Sequence, residues 1–129
     1  MAGLPYRTAG DRAAAEAFFD GREASKELWH DLVRHAVTWG PVDVTATKVR
    51  VCLTARTRFC YTPKAYRDGG LILRFLLPRA IVSPRLHRVD DQGRWSHRID
   101  LHGPGAELDK ELLGWLREAY EWDCKSAGA

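Results

Sequence analysis

From Val42 to Leu101 the chain is a succession of short apolar runs, separated by breaks too short to hold a packed crossover helix. Parallel neighbours need a connection of roughly a dozen residues or more, so these breaks confine most of the sheet to antiparallel pairing. Helical patterns occur only before and after this region. The expected class is therefore α+β: an antiparallel sheet of four to six strands, packed on one face by N-terminal and C-terminal helices.

Period-two alternation sets the expected phase of the first hairpin. Val49, Val51 and Leu53 point one way, and Arg50, Cys52 and Thr54 the other. On the return strand Phe59 and Tyr61 stand against Arg58, Cys60 and Thr62. With Ala55-Arg56-Thr57 as the loop, Thr54 pairs with Arg58, Leu53 with Phe59, Cys52 with Cys60 and Val51 with Tyr61. Val42 to Thr47 extends as a short strand before it. Pro63 to Gly70 reads as a turn-rich link, and Leu71–Leu77 as a central strand whose one charge is Arg74. A second hairpin joins Arg85–Val89 to Arg94–Leu101 around Asp90-Asp91-Gln92-Gly93. Val89, Trp95, Ile99 and Leu101 are expected on one face, with Arg88, Ser96, Arg98 and Asp100 on the other.

Residues 1–10 read as a flexible lead-in, 11–123 as a single domain and 124–129 as a frayed tail. Asp11 is expected to cap an Ala-rich helix that ends at Asp20-Gly21. Glu23 to Trp39 carries Leu28, Leu32, His35, Ala36 and Trp39 at helical spacing, with Trp29 and Val33 widening the stripe, and Gly40-Pro41 ends it. The last helix, Asp109 to Trp122, presents Leu112, Trp115, Leu116, Ala119 and Tyr120 along one side.

At 129 residues, with 45% hydrophobic and 29% charged residues, the composition is that of one ordinary globular domain. No apolar run approaches the ~20 residues of a membrane span. Met1 to Arg12 lacks the apolar core of a secretory signal. Three cysteines, an odd number, argue against a secreted disulfide scaffold. The expectation is a soluble cytoplasmic protein with no membrane partner.

Charge is unevenly spread. Twelve of the twenty Lys and Arg lie between Lys48 and Arg98, beside only three acids, while both ends are net acidic. Combined with the strand phase, this predicts a face bearing Arg50, Arg58, Arg74, Arg88 and Arg98, with Lys48 and Arg56 in adjoining turns. Guanidinium forks match phosphate and carboxylate oxygens. The partner expected for these seven residues is nucleic acid first and a phosphorylated small molecule second. The plain alternative is a solvated outer face, since the expected phase turns Tyr61 and Trp95 toward the helices and leaves no aromatic for base stacking.

Other constellations say less. Cys52 and Cys60 are expected directly opposite, within bridging range, flanked by Arg50 and Arg58, which would lower a thiol pKa; the alternative is two ordinary reduced strand cysteines. His30 and His35 point about 140° apart on their helix. His87 and His97 meet across the second hairpin without a third ligand, so no metal or cofactor is expected. There is no glycine-rich phosphate loop, nucleophile elbow, HExxH or CxxC, and Asp100 stands as the lone strand acid, so no catalytic residue is assigned. A second functional reading is a small-molecule sensor or unrecognised enzyme, with a pocket between helices and sheet lined by Trp29, Trp39, Phe59, Tyr61, Trp95 and Trp115. A third is a homodimer pairing through an exposed strand edge.

The stretches Phe18-Phe19-Asp20-Gly21-Arg22, Trp39-Gly40-Pro41-Val42, Ala46-Thr47-Lys48 leading into Val49–Leu53, Ala55-Arg56-Thr57-Arg58-Phe59 and Leu71–Leu77 give the chain a likeness to a known family. From Phe18 to Trp122 it resembles a bacterial domain-of-unknown-function family, some of whose members carry the label "predicted transport protein". The resemblance implies a compact α+β domain with helices outside an antiparallel sheet. It implies no reaction and no site residues. Members occur alone or trailing nuclease-like regions, which favours nucleic acid nearby. The cysteines and some of the arginines lie outside the family pattern.

Overall fold

Antiparallel pairing holds for every strand of the sheet in the computed structural model, which describes residues 4–91, 94–101 and 108–126. The elements are α1 (Ala9–Phe18), α2 (Glu23–Ala36), β1 (Asp43–Thr47), β2 (Arg50–Thr54), β3 (Arg58–Ala65), β4 (Leu71–Leu77), β5 (His87–Asp91), β6 (Arg94–Leu101) and α3 (Lys110–Ser126). They form one six-stranded sheet in the order β1-β2-β3-β4-β6-β5. This is the α+β architecture expected from the sequence. The outermost residues of the lead-in and tail, Gln92-Gly93 of the second turn and the 102–107 break lie outside the described residues.

One core forms between the sheet and the helices. Phe19, Trp29, Leu32 and Val33 enter it from the N-terminal helices, and Leu112, Leu116 and Ala119 from α3. Val44, Val51, Leu53, Leu73, Phe75 and Leu77 meet them from the strands. Phe59 sits edge-on to Tyr120 at 5.4 Å, and Phe75 stacks with Trp115 at 6.4 Å. His35 is exposed, so the buried stripe of α2 is Trp29, Leu32, Val33 and Ala36.

The helix ends differ from expectation for identifiable reasons. Thr8, not Asp11, caps α1, its hydroxyl accepting the Asp11 N–H at 3.1 Å. Asp11 instead reaches the free edge of β1, where its carboxylate accepts the Ala46 N–H at 3.0 Å. The lead-in is also engaged there: the Val44 N–H donates to the Pro5 carbonyl at 2.8 Å, and the Arg7 N–H to the Val44 carbonyl at 3.0 Å. An open edge is thereby covered. After α2, Gly40 takes φ +148°, and a Cβ there would lie 2.2 Å from the Tyr120 hydroxyl. At the other end, α3 runs on beyond Trp122 because Asp123 is buried and engaged.

The first hairpin departs most instructively. Thr54 pairs with Arg58 as expected, but a β-bulge follows, and Leu53 pairs with Cys60, Cys52 with Tyr61 and Val51 with Thr62. Phe59 is the extra residue. A one-residue slip turns every later side chain to the opposite face. Cys60 and Thr62 therefore point toward the helices, and Tyr61 away from them. A second irregularity lies between Tyr61 and Lys64 and spans Pro63, which cannot donate to a ladder. Past it β3 continues to Ala65, through residues the sequence suggested as a link. In the second hairpin β5 extends to Asp91, and Val89 pairs with Ser96. Val89 is accordingly on the outer face at 59% exposure rather than in the core. Val49 is likewise out, in the turn between β1 and β2, at 69%.

Candidate anion-binding face

On the side away from the helices, one row of residues crosses the whole sheet: Thr45, Cys52, Tyr61, Arg74, Arg98 and His87 are successive cross-strand neighbours. Arg50 and Arg58 stand to either side of this row. The Arg58 guanidinium carbon lies 4.4 Å from the Tyr61 ring centroid, and that of Arg50 lies 5.9 Å away. Both are within cation–π range. Arg74 is half-buried beside them, and its Nε is buried with no hydrogen-bond partner. The aliphatic stems of such side chains cover apolar surface while their charged heads stay wet. Cys52 and Ile72 are accordingly buried on this outer face.

Charge balance separates these arginines. Arg74 and Arg98 are directly opposite, an arrangement that like charges destabilise. Arg98 is neutralised locally: its Nε donates to Asp100 Oδ1 at 2.9 Å and its Nη2 to Oδ2 at 3.2 Å. Among the described residues no carboxylate pairs with Arg50, Arg58 or Arg74. Three guanidinium groups thus gather around one tyrosine without a counter-ion among the described residues.

The expected site residues divide accordingly. Arg50, Arg58, Arg74 and Arg98 share the outer face as the sequence suggested. Lys48 is exposed in the turn between β1 and β2, at one end of that face. Arg56 is at the opposite end, in the tip of the first hairpin. Arg88 is a correction: it pairs with the inward-facing His97, so alternation puts it on the helix side of β5. Tyr61 is the second correction, an aromatic on the outer face beside Arg50 and Arg58, where none was expected. Arg94 was missed. It is in phase with Ser96 and Arg98 and, with Arg58 and Leu76, lines a cleft of about 190 Å³ at the hairpin tip. Only its alternation in β6 could have signalled it.

Asp123 was also missed. Its carboxylate accepts the Arg56 N–H at 2.9 Å, the Thr57 N–H at 3.0 Å and the Thr57 hydroxyl at 2.5 Å. It therefore latches the hairpin tip to α3 and fixes where Arg58 begins its strand. No local pattern in the sequence marks an acid near the end of a helix for that role.

The aromatic pocket expected between helices and sheet does not assemble from its six residues. Trp29 and Phe59 are buried in the core, Trp39 and Trp115 pack against it, and Tyr61 is on the opposite face. Trp95 pairs with Leu77 near the end of β6. A cleft of about 520 Å³ lies elsewhere, between α1 and α2.

Cysteine and histidine chemistry follows from the bulge and from burial. Cys52 and Cys60 are free, on opposite faces, with Cys52 opposite Tyr61 instead. Burial pushes the Cys52 thiol up against the opposing pull of Arg58 and Arg50, and burial also pushes up that of Cys60. Neither is a primed thiolate. His87 is exposed on the outer face, whereas His97 is buried, stacked on Phe75 at 5.2 Å, and accepts the Ile81 N–H at Nε2 at 3.0 Å. Burial lowers the His97 pKa, so the ring is held neutral. Among the described residues no three His, Cys, Asp or Glu side chains are grouped to hold a metal ion. Asp43, Asp90 and Asp91 also belong to strands, so Asp100 is not the lone strand acid.

Among the described residues no helix is long and apolar enough to cross a membrane. No curated protein and no solved structure matches the chain. A family model described as Domain of unknown function (DUF5655) matches residues 15–123, from within α1 to the Asp123 latch, and the chain belongs to that family.

Proposed function

We propose that the domain is a non-enzymatic binding module that engages an anionic partner across its outer sheet face, with single-stranded nucleic acid as the preferred occupant. One observation carries this reading: Arg50 and Arg58 flank the Tyr61 ring, with Arg74 alongside, and no described carboxylate balances the three. Phosphates would take the guanidinium groups, and an unstacked base would find an aromatic platform. A phosphorylated small molecule shares the first interaction but not the second. The family offers no reaction to set against a binding role. We assign the domain to the cytoplasm of a bacterium on its family resemblance and its odd number of cysteines. The outer face ends at β5, which pairs within the sheet on one side only; a homodimer formed there would extend the basic surface across two copies.

The test is a titration with labelled oligothymidylate and with duplex DNA over a range of salt. Neutralising three phosphates on a single strand predicts a slope of about −2 in log affinity against log salt. Tyr61→Ala should cost about 1–3 kcal/mol on the single strand and little on the duplex. Salt-insensitive or undetectable binding to both, or affinity unchanged in Arg58→Gln and Arg74→Gln, would end the reading. Binding of inorganic phosphate without oligonucleotide binding would redirect it to the phosphorylated small molecule.

A further inference from the structure

The cleft between α1 and α2 belongs to a different part of the molecule from the arginine face. Each wall is a single helical stripe. Arg12, Ala15, Glu16 and Phe19 stand at i, i+3, i+4 and i+7 along α1 and its cap. Lys26, His30, Val33, Arg34 and Val37 do so along α2. Leu4, Pro5 and Tyr6 contribute a further wall. Ala15 contributes only a methyl group to the α1 wall. The cleft's volume, about 520 Å³, is that of a small-molecule site, for which roughly 300–1,000 Å³ is usual.

The lining is graded. Its base is apolar, from Ala15, Phe19 and Val33, and Val37 stands half in solvent at 46% exposure. Above the base, Lys26, His30 and Arg34 form a ladder at four-residue intervals on one face of α2. Tyr6 and His30 are half-buried, and neither side chain makes a hydrogen bond among the described residues. Arg12, Lys26 and Arg34 bring three cations to the cleft, against the one carboxylate of Glu16. Their own pairs, Arg12–Glu16, Lys26–Glu23 and Arg34–Asp31, are local helix contacts, exposed at every partner except Lys26, whose side chain is 28% accessible. Pairs of that kind are weak and exchange readily with a competing anion.

We propose that this cleft binds an amphipathic monocarboxylate, its apolar tail on Ala15, Phe19 and Val33 and its carboxylate on the Lys26–His30–Arg34 ladder. An apolar base satisfies the tail, and a cationic ladder with an unused imidazole satisfies the head. Neither half of the cleft alone would select such a molecule.

The full chain titrated with decanoate tests this, followed by amide chemical shifts and by calorimetry, with decanol as the uncharged control. Saturable shifts confined to residues of α1 and α2, weaker binding of decanol, and about tenfold or greater loss in Lys26→Gln/Arg34→Gln are expected. Val37→Asp, at a solvent-exposed position, should also weaken binding without altering the circular dichroism. No saturable shift with millimolar decanoate, equal affinity for decanol, or undiminished affinity in the double variant would overturn the proposal. Oligothymidylate binding should be unchanged in both variants, so that failure here is separable from failure of the arginine face. Displacement of decanoate by the oligonucleotide would overturn the assignment of two sites.

Discussion

Asp123→Ala should loosen the hairpin tip on which the arginine face depends. The carboxylate accepts three hydrogen bonds from Arg56 and Thr57 while being only 8% exposed itself. Hydrogen bonds to a charged group contribute about 1.5–3 kcal/mol each, so a simple sum would exceed 4 kcal/mol by that rough scale. The sum overstates the loss, because Arg56 and Thr57 are exposed and water can satisfy their freed donors. We expect about 2–3 kcal/mol in total, which for a chain of this size lowers Tm by roughly 6–15 °C. Asp123→Asn keeps one acceptor oxygen for the two N–H groups and should cost about half as much. Urea denaturation followed by tryptophan fluorescence should show a lower midpoint at unchanged m. Oligothymidylate affinity should fall as well, under conditions where the variant stays folded, because Arg58 starts its strand from the latched loop. Stability of the Ala variant within about 0.5 kcal/mol of the parent, or an Asn variant as costly as Ala, would refute the latch.

Two further outcomes follow from buried groups. Burial holds the His97 pKa below its ordinary value, and His30 is shifted the same way by the same cause. Above about pH 7.5 both rings are neutral whether folded or not; as pH falls through about 6.5 the unfolded chain takes up protons that the folded one refuses, so stability falls as pH drops, by at most ~1.4 kcal/mol per pH unit per ring. His97→Gln, which keeps an acceptor for the Ile81 N–H, should flatten that slope between pH 7.5 and about 5. Asp11, Asp109 and Glu118, whose pKa values are lowered by hydrogen bonds to Ala46, Leu112 and Arg79 respectively, act only at more acidic pH. An unchanged slope in the variant would remove His97 from the explanation. Gly40→Ala places a methyl 2.2 Å from the buried Tyr120 hydroxyl at φ +148° and should cost about 2–4 kcal/mol. Adding Tyr120→Phe should recover part of that in a double-mutant cycle, and strict additivity would show that the contact is not what excludes alanine.

The sheet was legible in the sequence where strands are regular and blind where they are not. Leu71–Leu77 and Arg94–Leu101 match their strands end to end. A continuous apolar run closed by proline and a clean alternation leave little choice of register. In the first hairpin the regular register and the bulged one both satisfy the three-residue loop, so the letters did not distinguish them. The bulge falls after Arg58, so Arg50, Arg58, Arg74 and Arg98 kept their expected face while Tyr61 and Cys60 exchanged theirs. Val89 misled for another reason. A β-branched residue in a strand suggests burial, but on the edge strand β5 no neighbouring element covers it. Thr8 was passed over as a cap because Ala9-Gly10 resembles a break, although Gly10 is helical.

The bulge also explains why core and surface should be read together. A regular register would bury the Tyr61 phenol under the helices and set Cys60 among the arginines. The extra residue instead lets Phe59 and Cys60 both enter the core, with Phe59 against Tyr120. Phe59 faces the core in either register; what the bulge changes is that Cys60 and Thr62 take the inner face in place of Tyr61, for the loss of about one ladder hydrogen bond, worth roughly 1 kcal/mol. The smaller Cys60 and Thr62 are buried there, and Tyr61 is turned outward as a consequence. Its place beneath Arg58 and Arg50 is therefore set by the bulge at Phe59, and the Asp123 latch holds the loop from which that strand departs. The side chains that define the candidate face are positioned from the opposite side of the sheet, so the face can be preformed without any partner to organise it. That is the condition under which three unbalanced guanidinium groups offer an anion immediate contacts, with no ordering cost in the backbone that carries them.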